Sequence, residues 1–155
     1  MSSIIYLDNN ATTRPDSRVV EAMLPYLYSE YANASSNHYF GQTIKKDIEK
    51  ARETIAQLIS GQPSGMVFTS GATEAINTAV KGIALSATGK HIVTVETEHL
   101  AVLDTCRHLE TIGYDVTYLP VNDDGLVNLE ELQDSIRDDT ALVSIMMVNN
   151  ETGVI

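Results

Sequence analysis

The chain has 155 residues, 43% of them hydrophobic, and a net charge of −11 from 10 basic and 21 acidic side chains. These values suit one packed domain and exclude a disordered chain. The acidic balance argues against nucleic acid, since a phosphate backbone needs a basic face. The apolar runs are too short for a bilayer, no Cys/His spacing fits a metal site, and no signal peptide opens the chain. We therefore expect a cytoplasmic protein without metal.

The first part of the chain predicts two helices joined by a polar loop. Pro15–Tyr28 carries apolar side chains on one face, with Pro15 tolerated in the first turn. Tyr31–Tyr39 is rich in Asn and Ser and predicts a loop. Gly41–Ile59 has the clearest helical stripe, and its charged side chains cover the remaining surface. Met66–Thr69 then predicts a short strand.

The rest of the chain alternates helices and strands. The predicted helices are Ala72–Ser86, His99–Ile112 and Asn128–Ile136. The predicted strands are His91–Val95, Asp115–Leu119 and Ala141–Val148. Gly113 is expected to end the second of these helices, and Asn128 with Glu131 forms a capping-box pattern at the start of the third. Ala141–Val148 is apolar enough for a central strand buried on both faces. This order predicts an α/β fold, a mostly parallel sheet with helices on both faces.

Polar stretches follow three of the predicted strands. They are Ser70–Thr73, Thr97–His99 and Asn149–Gly153. Ligands of parallel sheets bind at the carboxyl ends of the strands, so the pattern predicts that these stretches form one site. In the first, Gly71 permits close approach of a ligand, and the open N–H groups of the following helix with the hydroxyls of Ser70 and Thr73 suit a phosphate. The alternative is an ordinary helix cap made by Ser70.

The other candidate segments also have structural alternatives. His99 can stack on an aromatic ligand or transfer protons, or it can simply cap a helix. The amides of Asn149 and Asn150 can bond a ligand, or the segment can be a turn. Leu7–Thr13 is a polar turn before the first helix. Cys106 lies on an apolar helix face, so we expect a buried, unreactive thiol.

Five segments together resemble a known family. They are YLDNNATT (Tyr6–Thr13), NASSNHYFG (Asn33–Gly41), VFTSGATEAIN (Val67–Asn77), TEHLAVLDTCRHLE (Thr97–Glu110) and VSIMMVNNETG (Val143–Gly153). In order and spacing, the chain resembles the N-terminal part of a cysteine desulfurase, within the class V aminotransferase family of pyridoxal-phosphate enzymes. The resemblance implies the fold-type I architecture, with residues 1–14 at the active-site entrance and residues 15–155 in an incomplete large domain.

The resemblance also implies a site for pyridoxal 5'-phosphate. Ala72 and Thr73 would contact the cofactor phosphate. His99 would be the catalytic residue that stacks on the pyridine ring, and Asn150 would lie beside the ring near its phenolic oxygen. The residues on the substrate side would be Asn9, Asn10, Ala11, Asn33 and His38.

The implied reaction converts L-cysteine to L-alanine and passes the sulfur to an enzyme cysteine as a persulfide. The sulfur would then serve iron–sulfur cluster assembly or another thio-acceptor. The implied partners are L-cysteine, a homodimer mate or a second chain with the C-terminal half, and a sulfur-acceptor or iron–sulfur scaffold protein.

The sequence departs from the family pattern in two ways. Ala34 stands where the family loop usually has proline, and we expect a looser loop that still binds. The family's aspartate at the pyridine nitrogen, its covalent lysine, its persulfide cysteine and its substrate-binding arginine all come later in the chain. Lys81, Lys90 and Cys106 do not stand in the corresponding motifs. We therefore expect a chain cut after its most buried strand, with sheet edges left exposed.

Three interpretations stay open from the sequence. The chain is half of a cysteine desulfurase completed by another chain, or a non-catalytic assembly or regulatory module, or part of another class V enzyme such as a selenocysteine lyase or an aminotransferase. A dinucleotide-binding domain is disfavoured, because the chain has no G-x-G-x-x-G fingerprint.

Overall fold

The computed structural model describes residues 4–155, so residues 1–3 of the predicted N-terminal segment lie outside the described residues. The chain forms two compact units, the first ending at Phe68 and the second comprising Thr69–Ile155. The division predicted after residue 14 stays a prediction. None of the helices within residues 4–155 combines the length and apolar character needed to cross a membrane.

The first unit contains two helices whose starts are set by side-chain caps. Helix α1 is Ser17–Tyr28, and it begins after Asp16, whose carboxylate accepts the backbone N–H of Arg18 at 2.8 Å. Helix α2 is Tyr39–Leu58, and His38 caps it by accepting the Gly41 amide at 3.3 Å. These caps move both starts by two residues from the predicted ones, because the first acceptor side chain rather than the apolar stripe decides where a helix begins.

The strand predicted at Met66–Thr69 is wrong. The segment is irregular and follows a 3₁₀ turn at Pro63–Gly65. Val67 is 74% exposed and Phe68 is 50% exposed. An extended segment becomes a strand only when a neighbouring strand bonds its backbone groups. Among residues 4–155, no strand pairs with Met66–Thr69.

The second unit is a parallel three-stranded sheet with helices, which confirms the predicted α/β class. Its elements in chain order are α3 (Ala72–Ser86), β1 (His91–Val95), α4 (Leu100–Thr111), β2 (Asp115–Leu119), α5 (Leu129–Ser135) and β3 (Thr140–Ser144). The strand order is β2-β1-β3, and both pairings are parallel. The bounds of α3, β1 and β2 agree with the prediction.

Apolar side chains cover both faces of this sheet. On one face, Ile92 packs with Val80 of α3 and with Val102, Cys106 and Leu109 of α4. On the other face, Val93 and Val95 of β1 pack with Leu119 of β2 and Leu132 of α5. Successive side chains of a strand point to opposite faces, so β1 supplies both cores. Helices therefore lie on both faces, as predicted.

The central strand is β1 and not the one predicted at Ala141–Val148. The strand observed in this region is β3, Thr140–Ser144, which ends four residues before the predicted strand does. It lies at one edge of the sheet within residues 4–155. Val143 is 40% exposed and Met147 is 82% exposed. All five residues of β1 are buried, because strands lie on both sides of it. An apolar run predicts burial, but it does not say which strands supply the neighbours.

The helix ends in this unit follow their caps. Gly113 has a φ of +92° just after α4, the left-handed conformation expected of a residue that ends a helix. Asn128 accepts the amides of Glu130 and Glu131 at 2.9 and 3.4 Å and so caps α5. Glu131 accepts from the side chain of Asn128, not from its backbone, so only half of the predicted capping box forms.

Candidate functional site

The N-terminus of α3 faces the carboxyl edge of the sheet. Tyr114, directly before β2, donates its hydroxyl to the carbonyl oxygen of Ala84 at 2.7 Å. The last turn of α3 therefore lies at the amino ends of the strands. The helix has 15 residues, which is about 22 Å of length. Its first turn thus lies at the opposite edge, the one to which Thr97–His99 and Asn149–Gly153 also belong.

The first turn of α3 has no side-chain cap. Gly71 is its N-cap residue and makes no capping bond. Ser70 does not cap the helix, because both its N–H and its hydroxyl donate to the carboxylate of Glu74, at 2.6 and 2.7 Å. These bonds lower the pKa of Glu74. The alternative of a Ser70 cap is therefore wrong, and the Ser70 hydroxyl is occupied.

The backbone amides of Ala72 and Thr73 are open to a ligand. They lie in the first turn, where N–H groups lack helical partners, and both residues are exposed. A Cβ built on Gly71, the residue before them, would meet nothing within 4 Å. The helix dipole adds positive potential at this point. The donor set fits a phosphate group held by backbone amides and the Thr73 hydroxyl.

His99 lies at the start of α4 and is exposed. It is the N-cap residue, and its Nδ1 accepts the backbone N–H of Ala101 at 3.1 Å. An Nδ1 that accepts a hydrogen bond places the proton of the neutral ring on Nε2. The functional and capping roles considered from the sequence are compatible, because capping fixes the imidazole at the sheet edge and leaves its face and Nε2 available.

Asn149 organises the loop that follows β3. Its side-chain oxygen accepts the amides of Glu151 and Thr152, each at 2.9 Å. Its side-chain nitrogen donates to the carbonyl oxygen of Thr97 at 3.0 Å, which ties this loop to the end of β1. Gly153 closes the turn with a φ of +73°, which a side chain would strain. The loop is therefore a turn, as the structural alternative held, and it is joined to the segment that carries His99.

Asn150 is exposed on this turn. One of its amide hydrogens bonds the Glu151 carboxylate at 2.9 Å. A primary amide has two donor hydrogens and an acceptor oxygen, so Asn150 can also bond a ligand. The sequence analysis offered the amide of Asn149 to a ligand as well, but its side chain bonds Thr97, Glu151 and Thr152 within the protein.

Glu98 is a site-region residue that the sequence analysis missed. Its side chain is 8% exposed, and its carboxylate accepts the backbone N–H of Met146. Burial raises the pKa of Glu98. A glutamate between exposed residues gives no sequence signal of burial, because its partner Met146 lies far along the chain.

The predicted substrate-side residues belong to the first unit. Asn9, Asn10 and Ala11 form an exposed turn, in which the Thr13 hydroxyl bonds the Asn9 carbonyl oxygen at 3.2 Å. Asn33 holds its loop by accepting the Ser35 amide at 2.8 Å. His38 caps α2, as described above. Their place at a substrate entrance stays a prediction.

Cys106 is buried, as expected. It is fully enclosed between α4 and the sheet, and burial raises the pKa of its thiol to about 11. It is therefore unsuited to nucleophilic chemistry. Across residues 4–155, His, Cys, Asp and Glu side chains form no group of three or more that would hold a metal ion.

The sequence matches one protein family over nearly its whole length, the family described as aminotransferase class-V, at residues 5–155. A cysteine desulfurase IscS of Neisseria gonorrhoeae is 56% identical over 97% of this chain, which spans 38% of that protein. A mitochondrial cysteine desulfurase of Arthroderma benhamiae is 52% identical over 97% of this chain and 31% of its own length.

Solved structures agree with this relationship. A NifS-like protein superposes with a TM-score of 0.89 at 44% identity, over 92% of this chain and 40% of the other. A protein described as SspA in complex with cysteine superposes with a TM-score of 0.86 at 40% identity, over 92% of this chain and 42% of the other. The chain thus spans about a third to two fifths of the length of these relatives. With a match to the family model over residues 5–155, the chain belongs to the class V aminotransferase family.

Proposed function

We propose that this chain is the N-terminal, cofactor-binding portion of a cysteine desulfurase that uses pyridoxal 5'-phosphate. The observation that carries the proposal is the uncapped first turn of α3, which faces the same sheet edge as His99 and Asn150. The desulfurase names of the relatives support the reaction class. Pyridoxal phosphate, when bound, supplies the electron sink for breaking bonds to the substrate's carbon atoms.

The phosphate is held by backbone groups in this proposal. The chain has a net charge of −11, so attraction of an anion must be local. Ser70–Thr73 contains no lysine or arginine, which leaves the amides of Ala72 and Thr73, the Thr73 hydroxyl and the helix dipole. Glu74 stays engaged with Ser70, and its carboxylate is thereby kept from the open amides.

The ring side of the site consists of His99 and Asn150. His99 presents an imidazole face, and its Nδ1 bond to Ala101 fixes the plane of the ring. A flat imidazole suits stacking on an electron-poor pyridine. Asn150 would donate an amide hydrogen to the phenolic oxygen of the bound cofactor. Asn9, Asn10, Ala11, Asn33 and His38 are proposed to lie on the substrate side.

The complete reaction needs groups from outside residues 1–155. The covalent lysine, the persulfide cysteine, the aspartate at the pyridine nitrogen and the carboxylate-binding arginine are proposed to come from further sequence, in this chain or in a second one. L-cysteine is the proposed substrate, and a solved relative is described as a complex with cysteine. The homodimer and the sulfur acceptor stay predictions. The cytoplasmic location also stays a prediction, because one relative is named as mitochondrial.

The test is binding of pyridoxine 5'-phosphate, the alcohol analogue, which cannot form amine adducts with surface lysines. Titration is followed by fluorescence, with inorganic phosphate and unphosphorylated pyridoxine as competitors. We expect saturable binding that phosphate weakens and pyridoxine affects less. The variant Thr73→Asp places a negative charge in the proposed phosphate site, and we expect binding to weaken about tenfold or more.

The matched control is Thr78→Asp, which changes an exposed residue later in the same helix. An aspartate in the first turn stabilises a helix, so loss of binding in Thr73→Asp cannot be attributed to unfolding of α3. Equal binding by the two variants, or no saturable binding by the unaltered protein, would contradict the proposal.

A further inference from the structure

Glu98 is a buried carboxylate with no role in the proposed function. It is 8% exposed, although its neighbours Thr97 and His99 are exposed. Acidic side chains are rarely buried without bonding partners, because removing a charge from water is costly. We therefore expect the carboxylate of Glu98 to be held by specific hydrogen bonds.

The carboxylate of Glu98 joins its own segment to the backbone of another. It accepts the N–H of Met146, which lies just after β3 on the segment leading to Asn149 and Asn150. Glu98 directly precedes His99, the N-cap residue of α4, in the chain. Hydrogen bonds to an ionised carboxylate are about twice as strong as neutral ones. A single side chain thus links the two segments that carry the ring-side residues.

A second bond joins the same segments from the opposite direction. Asn149 donates its side-chain amide to the carbonyl oxygen of Thr97 at 3.0 Å. Glu98 reaches from the end of β1 to the segment after β3, and Asn149 reaches back. With both links made, neither segment can shift along the sheet edge without breaking a bond to the other.

We propose that Glu98 is a positioning residue, which holds His99 and the Asn149–Asn150 loop in the one relative arrangement that the cofactor ring requires. The inference deepens the proposed function, on which it rests for the identity of the ligand. The link between the segments is a property of the unliganded chain, and it can be tested without any ligand.

The first experiment measures amide hydrogen exchange by NMR in the unaltered protein and in Glu98→Gln. The glutamine keeps the size of the side chain, but it loses the charge and can direct an N–H group at the backbone donor. We expect the amide of Met146 to exchange about tenfold faster or more. The control is Glu96→Gln, an exposed glutamate in the same segment, which should leave this rate unchanged.

The second readout separates positioning from general stability. The ¹⁵N shift of His99 Nδ1 reports its bond to Ala101, and that of His91, buried at the other edge of the sheet, serves as the reference. A positioning role predicts a changed His99 signal and an unchanged His91 signal in Glu98→Gln. Changes of equal size at both histidines, or at neither, would overturn the proposal.

A measurement on the unaltered protein covers the case in which Glu98→Gln fails to fold. A scalar coupling across the hydrogen bond, between the Met146 amide nitrogen and the Glu98 carboxylate carbon, should be observable. Its absence while other such couplings are observed would overturn the assignment.

Ligand binding separates this inference from the proposed function. Glu98→Gln should weaken pyridoxine 5'-phosphate binding and leave inorganic phosphate binding unchanged, because Glu98 acts on the ring side. If the unaltered protein binds neither ligand, the proposed function fails, and the exchange and His99 results alone decide whether Glu98 links the two segments.

Discussion

His91 provides a pH-dependent test of the sheet. Its side chain is fully buried at the start of β1. Its Nδ1 is 2.8 Å from the Thr140 hydroxyl on β3, and its Nε2 is 2.9 Å from the Thr117 hydroxyl on β2. One imidazole therefore links all three strands. Burial lowers the pKa of His91, with Arg137 acting in the same direction and Asp115 and Asp139 opposing it.

The sign of the pH effect follows from this lowered pKa. The folded state prefers the neutral imidazole, so the unfolded chain binds the proton more readily. The contribution of His91 is complete above the unfolded pKa of about 6.5 and is lost as the pH falls toward the lower folded value. Within that window one proton changes the free energy of unfolding by at most about 1.4 kcal/mol per pH unit.

The perturbation is His91→Gln, which keeps hydrogen-bonding capacity but does not titrate. Urea unfolding of the variant and the unaltered protein between pH 5 and 8 gives the difference in free energy of unfolding. We expect the advantage of histidine to shrink below about pH 6.5. The control is His108→Gln, at an exposed histidine of α4. Parallel curves for His91→Gln and the unaltered protein would show that His91 does not titrate with a lowered pKa in the folded state.

Three further predictions concern packing and reactivity in the second unit. Leu109→Ala, at a fully buried core position, should cost about 2–5 kcal/mol of unfolding free energy, measured by urea unfolding; a loss below about 1 kcal/mol would contradict the core assignment. Gly89→Ala should lower the melting temperature, because a Cβ there would lie 2.1 Å from the carbonyl oxygen of Asp139, and an unchanged melting temperature would show that the contact is absent. Cys106 should resist thiol reagents at neutral pH until urea unfolds the protein, since its pKa is about 11; rapid labelling of the folded chain would argue against its burial.

Local signals determine much of this fold. The bounds of α3, β1 and β2 could be predicted because polar or glycine residues flank each apolar pattern, as Gly71 does before α3 and Gly113 does before β2. The starts of α1 and α2 depend on which side chain accepts a backbone N–H of the first turn. Asp16 and His38 do so one and three residues away from the starts that the stripes predict.

The predictions that proved wrong concern features that depend on distant residues. Whether Met66–Thr69 forms a strand depends on a pairing partner, and the position of Ala141–Val148 in the sheet depends on strand order. Neither is encoded in the segment itself. Ser70 has the right side chain for a cap, but Glu74 competes for it.

The carboxyl-edge rule predicted that the segments of His99 and Asn150 lie together, and the Asn149–Thr97 bond joins them. The same rule placed Thr73 through a strand at Met66–Thr69 that does not form. It did not separate Asn149, which binds the protein, from Asn150, which is available to a ligand. It also gave no reason to consider Glu98, whose role depends on a bond across 48 residues of sequence.

NMR mapping of pyridoxine 5'-phosphate on the ¹⁵N-labelled protein shows directly whether the first turn of α3 binds the cofactor phosphate. We expect the largest shifts at the amides of Ala72 and Thr73, with smaller ones at the His99 ring and the Asn150 side chain. Shifts confined to the lysine-bearing surface of α2, around Lys45 and Lys46, with none at Ala72 and Thr73, would contradict the proposed phosphate site.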